Sequence, residues 1–178
     1  MSTSLKNPME GMALPFREPL ESRPLSAPVI PEPLRRGEQG GPPCGVCDGS
    51  STSAVWADDL WTLHPPVGGS MPGSLWMASR EHADSFMDLS PEAQASFGGV
   101  VGRVEKALLS VGDFARVHLY RWGDGGAHFH VWFMPRPIGM LEATGMMLPL
   151  WEDALPNVED EELRQFAEKV AAVLESDG

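Results

Sequence analysis

Cysteine is scarce in this chain: among 178 residues there are two, Cys44 and Cys47. In a reducing compartment a pair spaced Cys-x-x-Cys is metal-binding or redox-active rather than a structural disulfide. Basic residues are also few, 13 Lys and Arg against 25 Asp and Glu, for a formal net charge of -12. Such a surface repels a phosphate backbone at long range, which excludes general nucleic-acid polymer binding. A small anionic ligand stays possible, held by local N–H groups and a few imidazoles. No apolar run approaches the roughly 20 residues that a membrane helix needs, so no membrane partner is expected. The first residues, MSTSLKNPMEGMALPF, lack the basic start and apolar core of a secretory signal, which predicts a cytoplasmic protein.

Two regions differ in texture. Residues 1–41 carry prolines at 8, 15, 19, 24, 28, 31 and 33 among Glu, Arg and Ser, with no sustained period. Proline at that density blocks both helix and ladder. A disordered or polyproline-II leader, laid along the domain, is expected there. Residues 42–178 form the folded domain, of a size that suits a single core.

Within that domain Ser53–Ala57 and Leu60–His64 read as a hairpin about Asp58-Asp59, and Ser74–Ala78 as a third strand. Ser90-Pro91-Glu92 is a helix start, with a Ser cap, Pro at the first helical position and an acid in the first turn. Phe97, Val100, Val101, Val104 and Leu108 then repeat at helical spacing, facing a sheet. Gly98, Gly99 and Gly102 weaken that helix and are expected to allow close contact with the sheet. Ala115–Arg121 alternates as a strand, and a tight turn from Gly123 to Gly126 joins it to the next. Residues 138–157 are Met-rich and irregular. Glu159–Glu175 closes the chain as a helix, with Leu163, Phe166, Val170 and Leu174 on one face. The order predicts an α+β fold: an antiparallel sheet of about five strands, a long packing helix and a C-terminal helix.

The densest chemistry lies in Gly125-Gly126-Ala127-His128-Phe129-His130-Val131-Trp132-Phe133. On a strand His128, His130 and Trp132 share one face, and Phe129, Val131 and Phe133 share the other. Half-buried, hydrogen-bonded histidines would explain one imidazole more easily than this pair. The Cys pair follows a proline leader and precedes Asp48-Gly49-Ser50-Ser51, unlike a thioredoxin-type pair at a helix start. A four-ligand zinc site would need two of the five histidines. His82 and His128, both at the rim of the sheet, are the candidates; the alternative is no metal. A Gly-x-x-x-His-x-His site of the cupin kind is excluded, because Met134-Pro135-Arg136-Pro137 stands where it needs a Glu.

Over residues 42–137 the chain resembles the histidine triad superfamily of nucleotide hydrolases and transferases. The pieces fall in the family's order. They are Cys-x-x-Cys, a hairpin, Pro72-Gly73-Ser74-Leu75-Trp76-Met77, Ser79-Arg80-Glu81-His82, Leu89-Ser90-Pro91-Glu92, His128-Phe129-His130 and Pro135-Arg136. The resemblance implies a structural zinc on Cys44, Cys47, His82 and His128, as in zinc-bearing members and the related galactose-1-phosphate uridylyltransferases. It also implies that His130 is the nucleophile, that the substrate is a nucleotide or nucleotide-sugar phosphate, and that the protein is a homodimer. An imidazole is a competent nucleophile toward phosphorus near neutral pH. Gly125 and Gly126 would let the backbone approach a phosphate closely.

Three departures from the family pattern bear on activity. Trp132 stands where the family has a third His, or a Gln in the uridylyltransferase branch, and its indole cannot act as a general acid. The usual Gly-Gln or Gly-Ser stretch before the triad is missing. His64-Pro65-Pro66 replaces the acid that commonly holds a ribose, so His64 either contacts the substrate or lines a loop. Arg121 either attracts phosphate beside the His strand or is an ordinary surface arginine. Two functions are therefore expected: a hydrolase or nucleotidyltransferase working through a phospho-histidine, or a non-catalytic nucleotide- or protein-binding module with Trp132 in the leaving-group site.

Overall fold

The computed structural model describes residues 13–16 and 25–176. Residues 1–12 and 17–24 of the proline-rich leader lie outside the described residues. Five strands form one antiparallel sheet: β1 (Trp56–Ala57), β2 (Trp61–His64), β3 (Leu75–Ser79), β4 (Phe114–Tyr120) and β5 (His130–Pro137), in the order β1-β2-β3-β5-β4. Among the described residues three α-helices accompany it: α1 (Pro91–Val111), α2 (Met147–Ala154) and α3 (Asp160–Ser176). The α+β architecture predicted from the sequence is the one observed.

The period-2 pattern of β5 separates two cores. Phe129, Val131 and Phe133 are at most 1% exposed and join Trp61, Leu63, Leu75 and Met77 under α1 and α3. The alternate residues Trp132 and Met134 face the other side, against Met71, Ala143, Leu148 and Trp151. Residues 138–157 are thus not irregular: a 3-10 turn at Leu141–Ala143 and helix α2 cover this second face. Their apolar positions are too short a run to show a period, and Pro149 within α2 masks it.

Helix α1 starts as its sequence prescribes. The Ser90 hydroxyl accepts the Ala93 N–H at 3.2 Å, and Pro91 needs no donor partner at the first position. The glycines do something else. A Cβ on Gly98, Gly99 or Gly102 would meet nothing within 4 Å, so they face open space and not the sheet. The β4–β5 connection is also no tight turn; it runs over residues 121–129 before β5 begins at His130.

Exposed glycines in a helix interior carry only the propensity penalty. Gly99→Ala and Gly102→Ala are each expected to raise unfolding stability by about 1 kcal/mol, read as a shift in urea midpoint at unchanged slope.

Candidate metal centre and the cavity beside it

The backbone brings three distant segments together at the β3 and β5 ends. The Phe129 N–H donates to the Ala83 carbonyl, and the Ser79 N–H donates to the Phe129 carbonyl at 3.1 Å. The Ser79 hydroxyl donates to the Glu81 carbonyl at 2.8 Å, holding the turn that presents His82. The Cys knuckle closes on itself through Asp48 N–H to Cys44 carbonyl (3.0 Å) and Ser51 N–H to Gly45 carbonyl (2.9 Å).

As a result Cys44, Cys47, His82 and His128 meet, with their ligand atoms all within 4.8 Å of one another. Cys44 Sγ lies 3.2 Å from His128 Nδ1, and Cys47 Sγ lies 3.3 Å from His82 Nδ1. The His128 Nε2–H donates to the Ser79 carbonyl at 2.8 Å, because a carbonyl can only accept. That fixes the tautomer with Nδ1 bare and aimed at the sulfurs, the orientation a metal-ligating histidine needs. Burial, with the Cys44 thiol and Asp48 nearby, pushes Cys47 up to about 11, so a cation binding there displaces a proton. Two sulfurs and two imidazole nitrogens at this separation are a donor set suited to a tetrahedral ion. Gly37 backs the cluster at φ +88°; a Cβ there would sit 3.0 Å from His82 Cε1 and 3.3 Å from Cys44 Cβ.

Next to this cluster is a cavity of about 210 Å³. His130, Trp132, Gly125 and Gly126 line it, with Trp76, Cys44, Ser51 and Arg36. His130 Nδ1 is 2.8 Å from the His128 carbonyl, so the Nδ1 carries the proton and the lone pair is on Nε2.

The other predicted residues are placed apart from the cavity wall. His64 is buried, with Nδ1 2.6 Å from the Thr52 carbonyl, Nε2 2.9 Å from Thr62 Oγ1, and its ring stacked on Trp76 at 4.0 Å. Both ring nitrogens are thereby engaged within the fold. Arg121 donates to the Asp84 carbonyl and lies over the Phe129 ring, 5.4 Å from its centroid. Arg36 was not among the predicted residues. Its only signal in the sequence is a pair of adjacent cations, Arg35-Arg36, shortly before the knuckle of an acidic chain.

No family model and no curated protein matches the sequence. Solved structures do match. A histidine triad protein from Bradyrhizobium japonicum aligns with TM-score 0.58 at 18% identity, over 71% of this chain and 92% of its own. A Zn-bound histidine triad family protein from Mycobacterium smegmatis aligns with TM-score 0.56 at 17% identity, over 76% and 95%. A hypothetical histidine triad nucleotide-binding protein from Sulfolobus tokodaii aligns with TM-score 0.57 at 14% identity, over 75% and 93%. The chain has the histidine triad fold.

Two outcomes follow from the site. Cys47→Ser is expected to lower bound metal from about one ion per chain to well below half, measured by elemental analysis after gel filtration, because three ligands do not close a tetrahedral site. His64 is held below its ordinary value by burial. Its unfolded ring takes a proton near pH 6.5, so stability is level above about pH 7 and falls as pH drops below 6.5. The ring nitrogen shifts of His64 should change to those of an imidazolium at a lower pH in the folded chain than in a short unfolded peptide carrying the same residue.

Proposed function

We propose that this protein is a metal-stabilised enzyme of the histidine triad fold that transfers or hydrolyses a nucleotide or nucleotide-sugar phosphate through a covalent adduct on His130. The carrying observation is the His130 tautomer. Its Nδ1–H is committed to the His128 carbonyl, and its Nε2 lone pair belongs to a ring that lines the cavity. In this reading Nε2 attacks phosphorus, a P–N bond forms, and the bond to the leaving oxygen breaks; water or a second phosphate then takes the phosphoryl group from the nitrogen.

The metal in this reading is zinc, bound by Cys44, Cys47, His82 and His128. Four protein ligands leave no open position, so its contribution is to join the knuckle to the base of β5. Trp132 has a further consequence for the substrate. An indole has no proton to give at neutral pH, so the leaving group must depart as a stable anion. A phosphate or a nucleoside phosphate meets that condition; an alkoxide does not. The reduced thiols that the site requires fit the cytoplasm. Strand β4 is an edge of the sheet, and a second copy pairing there would give the homodimer that the fold suggests.

The test is a panel of dinucleoside polyphosphates, nucleotide sugars and nucleoside phosphoramidates incubated with the full chain, quenched in base and read by intact mass. A phosphate-bearing adduct mapping to His130 is expected. His130→Ala should abolish it and lower turnover by at least about a thousandfold, at unchanged metal content. Binding without turnover across the whole panel would replace this reading with the non-catalytic module, in which Trp132 fills the leaving-group side.

A further inference from the structure

We propose that Arg36 is the phosphate-anchoring residue of the His130 cavity, placed there by the segment that precedes the Cys knuckle. The inference rests on the reading of His130 as directed at a phosphate, and extends it to a residue that the triad strand does not carry.

The backbone of Arg36 is fixed against the glycine turn. Its carbonyl accepts the Ala127 N–H at 2.7 Å, and it forms a parallel bridge with Gly126. Its neighbours are fixed as well. The Arg35 guanidinium grips Asp84 at 2.6 Å and the Gly123 carbonyl at 2.7 Å. Gly37 donates to the Pro42 carbonyl at 2.8 Å and abuts His82 and Cys44. Residues 35–42 therefore form a strap tied to the metal cluster at one side and to the Gly123–Gly126 turn at the other.

The Arg36 side chain runs over the knuckle. Its Nη1 would lie 3.7 Å from a Cβ on Gly45, and the residue lines the cavity that His130 enters. Among the described residues its guanidinium makes no hydrogen bond and no ion pair, and its charge is felt at longer range by the Asp48 carboxylate. The neighbouring cations differ. Arg35 is spent on Glu38 and Asp84, and Arg121 on the Asp84 carbonyl and the Phe129 ring. So Arg36 is the cation beside His130 with its donors uncommitted. A guanidinium presents a planar fork that matches two non-bridging phosphate oxygens and is weakly hydrated. In a chain of net charge -12 an anion is repelled at long range, which makes a local cation decisive for holding one.

The experiment measures AMP and adenosine binding to the metal-loaded full chain by calorimetry. Arg36→Gln should weaken AMP binding by about tenfold or more and leave adenosine binding unchanged. Arg36→Lys should recover part of the loss, and Arg164→Gln, a remote charge removal, should have no effect. Metal content of the Arg36 variants should equal that of the wild type, which separates anchoring from damage to the strap. AMP affinity in Arg36→Gln within twofold of wild type would overturn the inference, as would equal losses for AMP and adenosine. A wild-type chain that binds no AMP would overturn it too. A His130 adduct alongside an unaffected Arg36→Gln would keep the proposed activity and discard the anchor. Arg36-dependent AMP binding with no adduct on any substrate would do the reverse.

Discussion

The site depends on one hydrogen bond, from His128 Nε2 to the Ser79 carbonyl. It decides which nitrogen of His128 is bare and so which way the ring presents itself to the two cysteines. It also ties β3 to the segment just before β5, where the Ser79 N–H and the Phe129 carbonyl pair in the same place. The His128 carbonyl is then left to orient His130. One residue thus serves three neighbours: its ring meets a sulfur pair and a strand end, and its carbonyl holds the second imidazole. Burial pushes His128 below its ordinary pKa, which keeps it in the neutral form that this arrangement requires.

The alternation of β5 does the remaining work. Phe129, Val131 and Phe133 are enclosed beneath α1 and α3, so the strand cannot roll. Their alternates are consequently held on the opposite face, where Trp76 and Trp132 wall the cavity. Trp132 also belongs to the second core that α2 completes. The bulky indole of Trp132 is therefore part of a packed layer as well as of the cavity wall. Placing a smaller polar side chain there would open a gap in that layer.

Much of this was legible in the sequence because the relevant signals are local. Alternation from Phe129 to Phe133 announced the buried face, and Ser90-Pro91 announced the helix start. Two cysteines in a tetrahedral site call for two more donors, and the rim positions of His82 and His128 together with the family resemblance singled those two out; the structure gathers all four. What escaped notice depends on long-range placement. Helix α2 is short and contains Pro149, so its period is hidden. The outward orientation of Gly98, Gly99 and Gly102 is set by how α1 rolls on the sheet. Arg36 lies in a proline-rich stretch with no period at all, and only its contact with Ala127 and Gly126 gives it a position. For His64 the sequence left two readings, a substrate contact or a loop-lining residue; its partners Thr52 and Thr62 are close in sequence and satisfy both nitrogens.

The four donors are far apart along the chain: Cys44 and His128 are 84 residues from one another, and Cys47 and His82 are 35 apart. They converge only when Ala78 sits opposite His130 in the β3–β5 ladder. Sliding β5 by one residue would turn His130 and Trp132 into the core and carry His128 off the Ser79 carbonyl. An ion captured by all four donors is therefore a readout of correct strand alignment, and it rewards the aligned chain over every slipped competitor. The centre proofreads the sheet that builds it.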